Sequence, residues 1–450
     1  MPDPILAAPP ASRPALRRAL GRWDLTAIGV NQVIGGAVFA LPAAVAANTG
    51  TWSPWLVAAT GGLSLLIALC FAEVGSRFEG TGGPYLYTRA AFGRFAAFEV
   101  GWLMWFTRAA SWASVINVLV TSLSFYWPAM SRSGPRALVI TGIIVAIAAI
   151  NVRGIRQSSL VLNALTVAKL TPLVIFIGAG LFAIDPARLF GDPAPSLHNL
   201  STTALLLIYA FGGYEVVPVP AGEARDPRRA VPFALVMTIV IATVIMTLAQ
   251  VVALGTLPGL ATSKTPLADA AALFLGASGA ALITIGAICS TSGNNMGQAL
   301  SGSRNLYALA EQGDLPPFFG RVHPRFRTPA NAVLVTALVS LALAVSGTFA
   351  AMAAASAITR LIVYVATCAA TLRLRSTRFA EAVAPAGFVV PLGPVIPVTA
   401  IVIAVTILAG VTALQFYSVT AAIVVGAVLY LFATRASRML QNASSPTGHH

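Results

Sequence analysis

Four ionisable side chains stand inside long apolar stretches of the sequence: Arg108, Lys169, Glu215 and Arg360. A charge near the centre of a bilayer costs at least about 2.5–3.5 kcal/mol, so each of these residues needs a function or a partner. At a helix rise of about 1.5 Å per residue, each lies roughly 15–20 Å from one end of its predicted helix. We therefore expect all four at one depth, around a shared water-accessible interior.

Lys169 is the member of this group whose charge could change. Burial and neighbouring cations both disfavour the ammonium form of a lysine, so its protonation can cycle. A lysine that gains and loses a proton can act as a switchable charge in the interior of the protein. The alternative is a fixed ammonium that bonds to backbone carbonyls.

Glu215 is open to two interpretations as well. It could relay protons or attract an amine, or it could form a static ion pair with Arg108 or Arg360. The two arginines remain charged in either case, and structural pairing is their expected role. With three cations against one anion, the interior favours an unprotonated Lys169 or a bound anionic group, and it disfavours a ligand without a carboxylate, such as a polyamine.

Two further glutamates lie near the predicted ends of apolar stretches. Glu73 is about one turn from Arg77, and Glu99 is about one turn from Arg94. Local pairing on the helix surface explains both glutamates, so we assign them no transport role.

Two Gly-Gly pairs interrupt apolar stretches that otherwise read as continuous helix. The first reads IGGAVF over residues 34–39 with Pro42 beyond, and the second reads YAFGGYE over residues 209–215 with Pro218 beyond. Glycine and proline together favour unwinding, which a membrane tolerates only where the backbone lines a cavity. Close helix packing is the alternative. The matching positions, in the first and sixth predicted spans, favour a binding site between two inverted repeats.

Backbone groups freed by such breaks suit a zwitterion. An unwound helix exposes amides at the start of its second half and carbonyls at the end of its first half. We expect the amides of 35–37 to hold a carboxylate, and the carbonyls of 33–34 and 209–211 to hold an ammonium. The predicted substrate contacts are Val33, Ile34, Gly35, Gly36, Ala37, Tyr209, Ala210, Phe211 and Gly212.

The elements that must position these residues are membrane helices. Of 450 residues, 57% are apolar and only 9% charged, which excludes a water-soluble globule. Apolar stretches of about 20 residues cross a bilayer. The sequence predicts an all-α membrane protein with twelve spans, at 25–49, 54–76, 95–127, 136–152, 158–184, 201–222, 230–256, 278–310, 329–347, 350–372, 388–411 and 413–434, and a short helix outside the bilayer at 267–276.

The distribution of basic residues agrees with that number of spans. Alternating connections place 21 of the 28 Lys and Arg residues on one side and four on the other, with the remaining three inside spans. By the positive-inside rule, both termini are predicted to be cytoplasmic and the protein to lie in the cell membrane, with lipids as its surroundings. The net charge of +14 therefore does not indicate a nucleic-acid partner.

The expected organisation has two repeats of five helices. The predicted units are a cytoplasmic tail at 1–22, a first repeat at 23–184, a second repeat at 201–375, two further helices at 388–434 and a second cytoplasmic tail at 435–450. The breaks fall in the first helix of each repeat, as an inverted-repeat transporter requires.

Several motifs resemble the amino acid/polyamine/organocation superfamily of transporters, in particular its bacterial amino-acid permeases. Residues 34–39 resemble the I-G-S-G-I-F pattern, with Gly36 for Ser and Ala37 for Gly. The segments FAE with TGGPYLY, GEARDPRRAVP and SRNLYALAE resemble further signatures of the superfamily. Each motif is weak alone, but together they span about residues 20–430.

This resemblance implies a five-plus-five core with discontinuous helices 1 and 6, and transport of amino acids or related amines. Lys169 resembles the fifth-helix lysine of proton-coupled permeases, which occupies the space of sodium in ion-coupled relatives. Ser290, Thr291 and Ser292 could bind sodium, or bond to the lysine or to backbone if the lysine fills that space. Protons are the expected coupling ion, sodium is less favoured, and no cofactor or bound metal is expected.

Secondary active transport of amino acids by proton symport and alternating access is the function that the sequence favours. An amino-acid or amine exchanger, in which Lys169 stays charged, and a transport-dead amino-acid sensor are the alternatives. An intramembrane enzyme is disfavoured because Glu215 alone offers the chemistry at membrane depth, and no metal-ligand spacing is present. The sequence leaves open which amino acid is bound and the oligomeric state.

Overall fold

A computed structural model describes residues 16–124, 127–346, 349–379, 381–409, 417 and 420–431. The predicted tail at 435–450 and most of the tail at 1–22 lie outside these residues. Within them the chain is built of α-helices and short 3-10 helices, and the extended pairing is one isolated bridge between Leu20 and Ala224.

The first half of the chain contains seven α-helices among the described residues. They are α1 (Arg22–Val33), α2 (Ala37–Thr49), α3 (Ser53–Gly75), α4 (Pro84–Phe92), α5 (Arg94–Ser124), α6 (Ser133–Arg153) and α7 (Ile155–Gly180). The first predicted span is thus two helices, α1 and α2, separated by residues 34–36.

The second half also contains seven α-helices among the described residues. Its helices are α8 (Leu197–Phe211), α9 (Pro227–Thr256), α10 (Pro266–Glu311), α11 (Ala330–Ser346), α12 (Phe349–Arg373), α13 (Val395–Ala409) and α14 (Thr420–Leu431), with 3-10 helices at Tyr214–Val216 and Ala221–Glu223 after α8. The sixth predicted span, 201–222, is therefore α-helical only as far as Phe211. The described part of the chain contains six helical segments that are long and apolar enough to cross a membrane.

Two elements differ from the prediction. Helix α4 lies in a segment that we expected to be a loop; Gly83 has φ +50° and precedes Pro84 at the first helical position, where proline fits best. Helix α10 begins at Pro266, and Gly276 (φ +68°) breaks its helical geometry. The short helix predicted at 267–276 is thus the first part of α10.

Small residues bring α10 against the first break. A Cβ on Gly293 would meet the Asn31 side chain, and a Cβ on Gly297 would meet that of Gln32. Glycine at these two positions lets the polar side chains of α1 lie directly on the α10 backbone. Residues 293–310 of α10 are buried, so this helix forms the centre on which α1, α5 and α7 pack.

Buried ion pairs join distant segments. The Glu73 carboxylate accepts hydrogen bonds from Nε and Nη2 of Arg375, at 2.7 and 2.5 Å. The nearest nitrogen of Arg77 is 4.0 Å from this carboxylate. The expected pairing of Glu99 with Arg94 is wrong: Arg94 binds Asp314, at 2.9 Å, and neither oxygen of Glu99 has a hydrogen-bond partner among the described residues.

A second such pair lies beyond the sixth-span break. Arg304 of α10 donates two hydrogen bonds to Glu223, at 2.7 and 3.1 Å, and both side chains are fully buried. This contact fixes the far end of the interrupted segment to α10, because a buried bidentate arginine–carboxylate pair holds both position and orientation.

Candidate functional site

The first break is stabilised by side chains from other helices. Ile34 leaves the helical conformation (φ −79°, ψ 74°), and its amide still bonds to Val30, at 2.8 Å. Asn294 of α10 donates to the carbonyl of Gln32, at 3.2 Å, while the Gln32 side chain donates to the carbonyl of Asn294, at 3.0 Å. The carbonyls that α1 cannot satisfy internally are thus bound by α10.

Lys169 of α7 occupies the same break. Its Nζ donates to the carbonyl of Ile34, at 2.6 Å, and to that of Val30, at 3.4 Å, and the lysine is fully buried. Ser290 donates to the carbonyls of Ile34 and Gly35, at 2.9 and 3.1 Å. No carboxylate among the described residues lies within ion-pair distance of Lys169, so backbone dipoles supply its counter-charge.

The second break lies directly against the first. Helix α8 ends at Phe211, and Gly213 has φ +127°, a conformation that favours glycine. A Cβ on Gly213 would lie 2.8 Å from the carbonyl carbon of Gln32. The two interruptions therefore share one site, and the last carbonyls of α8 and the first amides of α2 both lack partners within their own helices.

Glu215 anchors the second break through three hydrogen bonds and an ion pair. Its Oε1 accepts a hydrogen bond from Nη2 of Arg108 in α5, at 2.8 Å, and forms an ion pair with Nε of Arg360 in α12, also at 2.8 Å. Its Oε2 accepts from the amide of Gly213 and from the hydroxyl of Tyr364, each at 2.8 Å. Two arginines on one carboxylate leave the group with one net positive charge. The arrangement matches the static pairing considered for Glu215, with both arginines at once.

Aromatic rings cover this charged group. The rings of Tyr214 and Tyr364 stack with centroids 5.3 Å apart, and Phe71 packs edge-on against both. All three side chains are buried. Apolar surroundings strengthen the attraction within the arginine–glutamate group and make the loss of any one member costly.

The predicted substrate contacts fall at these two breaks. The amide of Gly35 bonds to Val33, at 2.9 Å, and the carbonyl of Ile34 receives Lys169, so both groups are engaged within the protein. Gly36 and Ala37 begin α2, and their amides belong to the unpaired first turn. Ala210 and Phe211 end α8, whose last carbonyls are unpaired in the same way, and the side chain of Arg360 packs against Gly212. The side chain of Tyr209 lies outside the described part of the structure.

The hydroxyls of Ser290 and Thr291, considered above as sodium ligands, form hydrogen bonds within the protein. Ser290 bonds to backbone carbonyls of the break, and Thr291 bonds to Ala287 and Ile288 of its own helix. Among the described residues there is no group of three or more His, Cys, Asp or Glu side chains that could hold a metal ion.

Sequence reasoning missed the polar side chains that support the breaks. Gln32, Asn294 and Tyr364 all bond to broken-helix groups, and none was assigned a role. A signal was present for two of them, because amide side chains inside apolar helices need hydrogen-bond partners at membrane depth. Tyr364 gave no such signal, since its hydroxyl could have reached many acceptors.

Comparison with known proteins agrees with this architecture. The amino acid permease family model matches residues 20–442. An uncharacterized transporter of Mycobacterium tuberculosis and one of Mycobacterium bovis are each 32% identical over 336 residues, covering 73% of this chain and 74% of the relative. The methylthioribose transporter of Bacillus subtilis is 25% identical over 347 residues, covering 73% of this chain and 75% of that protein.

The family match and the paired helix breaks both indicate a membrane transporter. The match extends over nearly the whole chain, from before α1 to beyond α14, and includes both breaks. The resemblance expected from the motifs is thereby confirmed, and the protein is a membrane transporter rather than an enzyme. The chain belongs to the amino acid permease family.

Proposed function

We propose that the protein carries amino acids across the cell membrane together with protons, by alternating access of its two repeats, with both termini in the cytoplasm. The observation that carries the proposal is the position of Lys169, whose Nζ lies 2.6 Å from the carbonyl of Ile34 in the first break. A single charge placed there acts directly on the backbone that would contact substrate.

Proton coupling would work through this contact. A charged Lys169 holds the carbonyls of Ile34 and Val30, and so ties α7 to the end of α1. A neutral amine binds those carbonyls more weakly, because charge-assisted hydrogen bonds are about twice as strong as neutral ones. Loss of the proton would therefore loosen α1 and favour a state open on the other side.

The free backbone groups favour a zwitterionic substrate. The first amides of α2 suit a carboxylate, and the last carbonyls of α8 suit an ammonium. The Bacillus subtilis relative is named for methylthioribose, a neutral solute with neither group. The cationic group formed by Arg108, Glu215 and Arg360 also favours a ligand that carries a carboxylate.

An exchanger is the second candidate. Among the described residues, two carbonyls and no carboxylate lie within bonding distance of Lys169, an environment that also suits a permanently charged ammonium. In that case Lys169 would act as a fixed structural cation, and substrate would leave only in return for another substrate.

Uptake into proteoliposomes separates these functions. We expect radiolabelled amino acids, tested singly beside methylthioribose, to accumulate above equilibrium when the pH is lower outside than inside. Release from preloaded vesicles into substrate-free buffer should then proceed without external substrate. Accumulation that ignores the pH gradient, with release that requires external substrate, would establish the exchanger. Binding without uptake would establish a sensor.

Lys169→Ala tests the residue itself. We expect this variant to lose accumulation against the substrate gradient, at least tenfold, because its coupling charge is gone. Lys264→Ala is the matched control, since Lys264 is exposed in the connection before α10. If Lys169→Ala accumulates substrate like the unmodified protein, Lys169 has no part in coupling.

A further inference from the structure

Polar side chains recur along the contact between α1 and α7. On α7, Asn163, Thr166 and Lys169 are spaced three residues apart and share one face; on α1, Asp24 and Asn31 are two turns apart. Seven residues at about 1.5 Å each separate the two α1 positions by about 10 Å. We refer to these five residues as the polar seam.

Hydrogen bonds join α1 and α7 at two places in the polar seam. Asn163 donates to Oδ1 of Asp24, at 2.7 Å, and Asn31 donates to the hydroxyl of Thr166 and to the carbonyl of Leu162. One turn beyond Thr166, Lys169 reaches the carbonyls of the first break. The seam therefore leads from the break to Asp24, in the first turn of α1.

Unused acceptors lie along the seam. Oδ1 of Asn31 and Oδ1 of Asn163 are both buried, and neither has a hydrogen-bond partner among the described residues. A buried amide oxygen without a donor is costly, and such atoms ordinarily bind ordered water. Oδ1 of Asn163, beside Asp24, and Oδ1 of Asn31, which lies against Gly293 of α10, are therefore acceptors that ordered water can fill.

Asp24 differs from the other carboxylates near α1. Glu215 is held by two arginines and Glu223 by Arg304. Asp24 makes no ion pair within the part of the chain that the structure describes; its other oxygen accepts from the amide of Gly21, at 2.8 Å. A carboxylate without an arginine partner can accept a proton without breaking a salt bridge.

We infer that the polar seam carries the coupling proton between Lys169 and the aqueous phase, with Asp24 as its terminal acceptor. An N–H bond of the Lys169 ammonium breaks, its electron pair stays on Nζ, and the proton passes to water held by Asn31 and Asn163. An O–H bond then forms on Asp24 and breaks again as the proton enters solvent. Asn31, Asn163 and Thr166 orient water and remain neutral throughout. The inference rests on the proton coupling proposed above.

Asp24→Asn separates proton release from substrate movement. Asparagine keeps an acceptor for Gly21 but cannot take up the proton. We expect accumulation of a radiolabelled amino acid mixture, driven by a pH gradient, to fall at least tenfold. Exchange of internal for external amino acids at equal pH should stay within twofold, because exchange needs no net release of protons.

Two further variants complete the experiment. Asp24→Glu restores the carboxylate and should recover accumulation to within threefold. Asp226→Asn is the matched control: Asp226 is an exposed carboxylate at the same end of the molecule, where Arg225 bonds to Leu20, and its replacement should change neither measurement. Asn163→Leu, which removes the amide at the other side of the Asp24 contact, should reproduce the same selective loss if Asp24→Asn does not fold.

The outcomes are distinct. Full accumulation by Asp24→Asn overturns the seam as a proton route. Equal loss of accumulation and exchange, in protein of unchanged thermal stability, makes Asp24 a structural tie between α1 and α7 and also overturns it. If uptake by the unmodified protein does not respond to the pH gradient, both the proposed function and the proton route fail. If the unmodified protein and Asp24→Asn both accumulate amino acids in response to the gradient, only the proton route fails.

Discussion

The charged residues at the two breaks all lie inside apolar stretches of the sequence, but they have different partners. Glu215 accepts three hydrogen bonds, pairs with both Arg108 and Arg360, and neutralises one of these two arginines. Among the described residues, the acceptors of Lys169 are backbone carbonyls. Extensive pairing favours a fixed role for Glu215, whereas Lys169 has no carboxylate partner there and is the residue that we propose changes its charge.

Replacing Glu215 with glutamine should destabilise the protein. Two buried guanidinium groups would lose the carboxylate that pairs with both of them, and breaking a buried ion pair from one side costs about 3–5 kcal/mol. We expect a clear fall in the midpoint of thermal unfolding, measured in detergent. Glu79→Gln is the control, because Glu79 forms an exposed pair with Arg18 at 3.6 Å, for which at most about 1 kcal/mol is expected. Equal midpoints for the two variants would contradict the structural role of Glu215.

The residue types predicted the positions of the functional residues well, but they did not predict the partners of the charged residues. Lys169 and the Gly-Gly pairs stand out in the sequence because a membrane penalises a charge or an open backbone. Arg375, the partner of Glu73, is 302 residues away, and nearby Arg77 was the local alternative. Pairing across such a separation is decided by the packing of whole helices, which residue spacing does not encode.

At the scale of elements, the two interrupted helices depend on one close contact. Gly213 has a positive φ, and a Cβ there would lie 2.8 Å from the backbone of Gln32, in the last turn of α1 before the first break. The sequence located both interruptions from glycine and proline positions. It did not predict α4, because TGGPYLY reads as a turn until Gly83 and Pro84 start a new helix.

Gly213→Ala should separate the two breaks. Alanine is strained at φ +127°, by about 1–3 kcal/mol, and its Cβ would lie 2.8 Å from Gln32. We expect at least a tenfold loss of amino-acid uptake together with a lower unfolding midpoint. Gly178→Ala in α7 is the control: a Cβ there meets nothing within 4 Å, and alanine favours helix by about 0.5–1 kcal/mol. Unchanged uptake in Gly213→Ala would show that contact between the breaks is not needed for transport.

For the whole molecule, the orientation that we propose in the membrane rests on the distribution of charge. Six segments of the described chain are long and apolar enough to cross a membrane, and the family match covers them. The proposed side of each connection comes from the charge asymmetry alone, because the fold is compatible with either orientation.

Cysteine labelling in intact cells tests that orientation. Lys264 and Arg229 are both exposed, before α10 and in the first turn of α9, on connections predicted to face opposite sides. We expect Lys264→Cys to react with a membrane-impermeant maleimide in intact cells, and Arg229→Cys to react only after permeabilisation. The unmodified protein is the background control, since Cys70 and Cys368 are buried and Cys289 is half-buried. The reverse labelling pattern would invert the proposed topology.

Substrate-induced proton entry tests the central claim most directly. With a pH-sensitive dye inside proteoliposomes and equal pH on both sides, external amino acids should acidify the lumen of vesicles that contain the unmodified protein. Vesicles with Lys169→Ala should show no acidification, even where labelled amino acid still exchanges. Amino-acid entry into vesicles of the unmodified protein without any acidification would contradict proton coupling through Lys169.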